Sequence, residues 1–190
     1  MANSHELHFA TIWENVSDAV PNNIAVISGN KEKTWREYEI EASKLAAFLD
    51  ERGIKENVKV GLYLHNCNEY LEAQFGIFKV MGVPVNVNYR YQAGELKYLL
   101  DNSDCEAVFF QSCYADQVNE IVEDLPKIKT WIQVGEESPV LSSSAFSYSD
   151  VISAYKPMPR IKRNEDNIYM IYTGGTTAVS YTHLTLPTTD

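Results

Sequence analysis

The sequence predicts an α/β fold from three features. Short β-branched runs alternate with amphipathic helical stretches, a capping-box signature opens the longest of those stretches, and a glycine- and threonine-rich run directly follows the last apolar segment. Such alternation calls for parallel strands joined by helical crossovers, with helices covering the sheet. Ile24-Ala25-Val26-Ile27 reads as a strand ending at Gly29. Thr34-Trp35-Arg36-Glu37 then starts a helix, because a threonine hydroxyl and a glutamate three residues on can satisfy each other's backbone N–H groups. Tyr38, Ala42, Leu45 and Leu49 give this helix one apolar stripe, and Gly53 supplies its stop. Residues 58–64 read as a buried strand, 69–81 as a helix with Leu71, Phe75 and Phe78 on one face, and 83–87 as the next strand. A short helix over 94–103 through Leu96, Leu99 and Leu100 follows, then a strand at 107–110, a helix at 114–125 and a strand at 130–134. The serine-rich stretch 135–149 reads as a surface connection, and Lys156-Pro157-Met158-Pro159-Arg160 as a proline-punctuated approach to a last strand over 167–172.

With 190 residues, 45% apolar and 22% charged, the chain is long enough for one globular unit with a sizeable core. A net charge of -10 with no Lys/Arg stripe leaves no source of attraction to a nucleic-acid backbone, so nucleic-acid binding is not expected. The start Met1-Ala2-Asn3-Ser4-His5-Glu6 lacks a basic, then apolar, leader, and no run approaches the roughly 18 apolar residues of a membrane span, so a cytoplasmic location is expected. Cys67, Cys105 and Cys113 form no Cys-x-x-Cys pair and read as reduced core thiols. His5, His8, His65 and His183 fall in no metal-ligand spacing and read as surface or locally bonded residues. No metal site is expected within the chain. Trp13, Trp35 and Trp131 read as packing residues rather than a pocket lining.

The chemistry is concentrated in Tyr172-Thr173-Gly174-Gly175-Thr176-Thr177. Glycine permits torsions and close approaches that a side chain forbids, so successive N–H groups can converge on one anion while threonine hydroxyls add neutral donors. The same residues are also compatible with an ordinary turn. Their place after the last strand favours a site, because ligands of open α/β sheets bind beyond the carboxyl ends of the strands. A Walker A loop would close on Gly-Lys-Ser/Thr and a dinucleotide fingerprint would read Gly-x-Gly-x-x-Gly, and neither is present.

Tyr-Thr-Gly-Gly-Thr-Thr resembles the first half of the phosphate loop of the adenylate-forming superfamily of acyl-CoA synthetases, luciferases and peptide-synthetase adenylation domains. Upstream, Gly82-Val83-Pro84-Val85-Asn86-Val87-Asn88-Tyr89-Arg90-Tyr91 with Glu95-Leu96 resembles the segment that acyl-CoA synthetases place before that loop, and it leans toward fatty-acyl-CoA ligases. The resemblance spans residues 9–177. It implies a partial N-terminal domain of the adenylate-forming fold, in which Thr173, Gly174, Gly175, Thr176 and Thr177 hold the β- and γ-phosphates of ATP. A carboxylic acid, with a fatty acid or similar apolar carboxylate expected, would attack the α-phosphorus, and CoA would then displace AMP. The cofactors so implied for the full-length parent are ATP, Mg2+ and CoA. No catalytic residue is assigned. For Asn86 to Arg90 the favoured account is a strand exit, with the asparagines satisfying turn backbone and the arginine capping a carbonyl or carboxylate.

The family pattern runs on as Gly-x-Pro-Lys-Gly, whereas this chain reads Ala178-Val179-Ser180 and continues to Asp190 with no likeness to the family. The expected organisation is therefore an incomplete AMP-binding domain over 1–177 and an unrelated tail over 178–190, from a truncated reading frame. The ribose- and metal-binding acids, the acyl pocket and the catalytic lysine would lie downstream, and the missing C-terminal portion of the fold would be a partner. The chain alone is expected to be inactive. The alternative is a non-catalytic α/β binding or interaction module.

Overall fold

The computed structural model describes residues 7–135, 145–165 and 168–172. In chain order its elements are α1 (Phe9–Ala19), β1 (Ile24–Ser28), β2 (Lys31–Thr34), α2 (Trp35–Glu51), β3 (Lys59–Tyr63), α3 (Asn68–Lys79), β4 (Val83–Asn86), α4 (Ala93–Asn102), β5 (Cys105–Gln111), α5 (Ala115–Ile121), β6 (Thr130–Val134), β7 (Ala145–Ser147), α6 (Tyr148–Ala154) and β8 (Met170–Ile171). Strands β1 and β2 pair antiparallel into a separate ribbon. The other six form one sheet in the order β7-β6-β5-β3-β4-β8, with every neighbouring pair parallel. The α/β fold class and its parallel sheet hold.

A parallel sheet of this kind must be apolar on both faces. Along β5, Val108 and Phe110 join a core cluster with Leu96, Leu99 and Leu100 of α4 and Val118 and Ile121 of α5. The alternate residues Ala107 and Phe109 face the opposite cluster, with Leu45, Phe48 and Leu49 of α2, Ala73 and Ile77 of α3 and Val151 of α6. A third cluster lies outside α2 and α3, where Ala10, Val26, Tyr38, Phe75 and Phe78 are buried with Trp13 and Trp35 against them. Trp131 belongs to the first cluster, so all three tryptophans are packing residues.

Local chemistry accounts for the ends of α2. Thr34 Oγ1 accepts from Glu37 N while Glu37 Oε2 accepts from Thr34 N, the predicted capping box. At the other end Gly53 has φ 82°, Gly53 N donates to Asp50 O at 3.0 Å and Ile54 N to Leu49 O at 2.9 Å. That Schellman arrangement needs the left-handed torsion glycine accepts readily. Helix α3 crosses α2 at close range because position 76 carries no side chain. A Cβ there would meet Ala42 O and Leu45 Cβ, each at 3.0 Å.

Five elements depart from the sequence pattern. The cap of α1 is His8, whose Nδ1 accepts from Ala10 N at 3.2 Å, in place of the usual short hydroxyl or carboxamide. Burial and the nearby Arg163 push the His8 pKa down to about 4 against the pull of Glu14, so the ring is neutral and free to accept. Strand β2 reads Lys-Glu-Lys-Thr and carries no apolar alternation, because it sits at the margin as half of a ribbon. Strand β7 and helix α6 occupy part of what reads as a surface connection over 135–149; β7 is a three-residue strand that, among the described residues, pairs only with β6. The helix expected over 114–125 is α-helical only over Ala115–Ile121, with 3-10 turns at Ser112–Tyr114 and Val122–Asp124.

The cysteine expectation also needs correction. Cys105 is a buried core thiol, but Cys67 is only half-buried and Cys113 is exposed in the turn after β5. Of the histidines, His8 is locally bonded, His65 is exposed and bonds Gln111 from a distant segment, and His5 and His183 lie outside the described residues.

Candidate functional site

From the β7 edge the chain must cross the whole sheet to reach β8 at the opposite edge. The described part of the crossing segment, residues 155–165, has no regular structure and is pinned over α2 and α1 at successive points. Met158 N donates to Ser43 O at 3.0 Å, and Arg160 makes a two-pronged pair with Asp18 at 2.6 and 2.8 Å. Arg163 is buried and donates to both oxygens of Glu14 at 2.8 and 2.9 Å and to Lys79 O at 3.1 Å. Lys79, also buried, reaches Glu14 at 2.6 Å and Glu39 at 2.8 Å.

The pinned segment delivers β8 alongside β4, with Val85 opposite Met170 and Asn86 opposite Ile171. Tyr172 is thereby carried to the carboxyl edge of the sheet. The predicted site residues Thr173, Gly174, Gly175, Thr176 and Thr177 follow immediately and lie outside the described residues, as does Asn167 at the start of the predicted strand. Beside Tyr172 is a cavity of about 330 Å³ lined by Tyr91, Gly94, Glu95, Tyr98, Leu99 and Tyr172. The residues around β8 are held by side-chain bonds: Tyr70 OH donates to Asn86 Oδ1 at 2.9 Å and lies 2.8 Å from Tyr169 OH, and Tyr172 OH donates to Asn102 Oδ1 at 2.7 Å.

A second feature of the same edge comes from topology. The chain leaves β3 through α3 to β4 on one side, then returns through α4 to β5 on the other, so the connections diverge between β3 and β5. In open α/β sheets such a switch point opens a crevice for ligands. Here it holds His65, whose backbone N and Nδ1 both lie 3.1 Å from Gln111 Oε1, with ring faces of Tyr89 and Tyr114 at 4.8 and 5.2 Å from the imidazole. The account of residues 86–90 as a simple strand exit holds in part. Asn88 Oδ1 accepts from Arg90 N at 3.0 Å as a turn asparagine would, but Asn86 bonds the Tyr70 hydroxyl and the Arg90 guanidinium lies over the Tyr89 ring at 5.5 Å.

One buried carboxylate stands apart from this edge. Glu72 on α3 is fully buried and accepts from Lys33 of β2 and from the Tyr148 hydroxyl of α6, while Lys33 also pairs with Glu41 of α2. Burial pushes the Glu72 carboxyl up to about 7, outweighing the downward pull of Lys33 and Tyr148, and Glu41 adds to the rise. An acid whose folded value lies above its unfolded one binds more protons in the native state between the two values. Stability should therefore fall as pH rises from about 4.5 toward 7. Glu72→Gln is expected to flatten that dependence by on the order of 2 kcal/mol, read from urea unfolding at pH 5 and pH 8. An unchanged slope in the variant would contradict this assignment.

The AMP-binding enzyme family matches residues 13–180, from α1 through every later element described. The chain belongs to the AMP-binding enzyme family. Among relatives of this AMP-binding chain, a medium/long-chain-fatty-acid CoA and 3-oxocholest-4-en-26-oate CoA ligase from Mycolicibacterium smegmatis is 41% identical over 175 residues, covering 90% of this chain and 32% of the relative. The protein of the same description from Mycobacterium tuberculosis is 38% identical over 174 residues, with the same coverage. The AMP-binding chain thus spans about 32% of the length of these relatives. Its fold matches an anthranilate CoA ligase solved with anthranoyl-AMP, at a TM-score of 0.83 and 21% identity over 92% of this chain and 34% of that one.

Sequence reasoning found the strand that ends at the glycine- and threonine-rich run but missed the groups that secure it. Glu14, Lys79 and Arg163 are spread over 149 positions, and no local pattern joins them. Tyr169 and Tyr172 did leave a signal: they flank two apolar residues and stand three apart, so they must face opposite sides of a strand.

Proposed function

We propose that this chain is the N-terminal part of an AMP-forming acyl-CoA ligase that acts on a medium- or long-chain fatty acid or a similar apolar carboxylate. The observation that supports it most is the placement of β8, a parallel strand that brings Tyr172 to the carboxyl edge directly before Thr173, Gly174, Gly175, Thr176 and Thr177, in a chain of the AMP-binding family. Amides and hydroxyls there would neutralise the β- and γ-phosphates of ATP and align the α-phosphorus for in-line attack. A carboxylate oxygen forms the new bond to the α-phosphorus and pyrophosphate leaves. The CoA sulfur then bonds the acyl carbon and AMP departs with the carboxylate oxygen, leaving a thioester. The names of the relatives support both the apolar acid and CoA. The aromatic faces of His65, Tyr89 and Tyr114 and the guanidinium of Arg90 suit ring and phosphate chemistry at the same edge.

Mg2+ would accompany ATP and lower the charge on its phosphates. Among the described residues there is no group of three His, Cys, Asp or Glu that could hold a metal ion by itself. Among the described residues no helix is long and apolar enough to cross a membrane, which supports a cytoplasmic setting. The boundary between an AMP-binding part over 1–177 and a foreign stretch over 178–190 is part of the same proposal, and reading the source gene past codon 177 tests it.

The 190-residue chain with ATP, Mg2+, CoA and a panel of fatty acids is expected to yield neither AMP nor thioester. Residues 1–177 joined to the remainder of the M. smegmatis relative are expected to yield both. A folded chimera that adenylates no carboxylate would sink the ligase reading and favour a binding module.

A further inference from the structure

Strand β8 is only two residues long, and its ladder with β4 consists of Val85 opposite Met170 and Asn86 opposite Ile171. So short a pairing holds few backbone hydrogen bonds, and a slip of one residue would turn every side chain to the other face. Something besides the ladder must fix its register.

Each end of β8 adjoins a tyrosine, and the two lie on opposite faces. Tyr169 packs with the outer cluster of α1, α2 and α3, whereas Tyr172 packs with the cluster beneath α4 and α5. On the first face the hydroxyls of Tyr169 and Tyr70 lie 2.8 Å apart, and Tyr70 donates onward to Asn86 Oδ1 at 2.9 Å. This relay runs from the entry of β8, through the first turn of α3, to the β4 residue that faces Ile171. On the second face Tyr172 OH donates at 2.7 Å to Asn102 Oδ1, on the last residue of α4. A one-residue slip would break both tethers together, since each hydroxyl would be carried to the wrong side of the sheet.

We propose that Tyr70, Tyr169 and Tyr172 form a two-sided hydroxyl clamp that sets the register of β8 and so fixes where the chain leaves the sheet toward Thr173, making them positioning residues for phosphate binding. The proposal rests on the reading of residues 173–177 as the phosphate site. None of the three hydroxyls touches the reacting atoms. Their part is to give a two-residue strand one address.

Amide hydrogen exchange on the 190-residue chain tests this with Tyr70→Phe, Tyr172→Phe and Asn86→Ala, each of which removes a tether with little change in packing. Each variant is expected to speed exchange at residues 170–172 by about 3–10-fold, the worth of one hydrogen bond, while β3 and β5 amides keep their protection. Tyr70→Phe and Asn86→Ala combined should do no more than either alone, and Tyr70→Phe with Tyr172→Phe should multiply. A second readout is the MgATP concentration that half-protects the amides of residues 173–177 in the chimera of residues 1–177 with the remainder of the M. smegmatis relative, expected to rise by a similar factor in Tyr70→Phe with the melting temperature nearly unchanged. If that chimera shows no MgATP protection, the phosphate-site reading fails, yet exchange of the 190-residue chain without nucleotide still decides the clamp. Unchanged exchange at 170–172 in the Tyr70→Phe/Tyr172→Phe double variant would overturn the clamp, and so would an equal loss of protection in β3 and β5.

Discussion

Glu14→Ala is expected to remove on the order of 3–5 kcal/mol of stability, because it leaves the buried Arg163 without its carboxylate and takes one of two carboxylates from the buried Lys79. Glu14 is only 3% exposed and receives Lys79 at 2.6 Å and Arg163 at 2.8 and 2.9 Å. Without it Lys79 keeps Glu39, but Arg163 has no other carboxylate among the described residues. The loss would reach beyond α1. Among the described residues Arg163 is the last buried anchor of the crossing segment before β8, so its release should loosen the strand that presents the predicted phosphate loop.

The same network sets a pH dependence. Burial pushes the Glu14 carboxyl up, yet hydrogen bonds from Arg163 and Lys79 and their charges outweigh it and hold the group below the ordinary carboxylate value. A depressed acid stabilises the native state above its unfolded value, and that contribution is lost as pH falls through the lower folded value. Wild-type stability should therefore decline below about pH 4.5, and Glu14→Ala should lack that part of the decline. Urea unfolding at pH 7 and pH 3.5 measures both. A loss under about 1 kcal/mol at neutral pH would show that the pair is dispensable.

Phe109→Ala is the second large effect, expected at about 3–5 kcal/mol. Phe109 is fully buried in the middle of β5, between β3 and β6, with its ring in the cluster under α2, α3 and α6. Truncation there removes apolar area and leaves a cavity whose walls are three helices and three strands. Such walls can close in only partly. Guanidinium unfolding with an unchanged slope would register the loss, and a cost near 1 kcal/mol would mean that the helices collapse onto the sheet.

Much of the central architecture was legible because its causes are local. Val108 and Phe109 sit side by side in the sequence and face opposite clusters, which is what a strand buried on both sides requires. The capping box at Thr34 and the left-handed Gly53 mark the ends of α2 for the same reason: the groups that satisfy the helix termini are within three residues of them. What stayed hidden was marginal or distant. His8 caps α1 with a ring nitrogen, β2 is the charged strand of a two-stranded ribbon, and β7 pairs on one side only among the described residues.

The chain's own letters determined a parallel α/β sheet, a glycine- and threonine-rich run after its last strand, and through both of these the AMP-binding family. They did so because periodicity, capping and backbone freedom act over a few residues. Tertiary structure alone decided which carboxylates are buried and what holds β8. Glu14 meets Arg163, Glu72 meets Lys33 and Tyr148, and Tyr70 meets Tyr169 only after the sheet has brought distant segments together. Desolvation then makes those meetings energetically consequential, and it depends on everything packed around a group rather than on its neighbours in the chain.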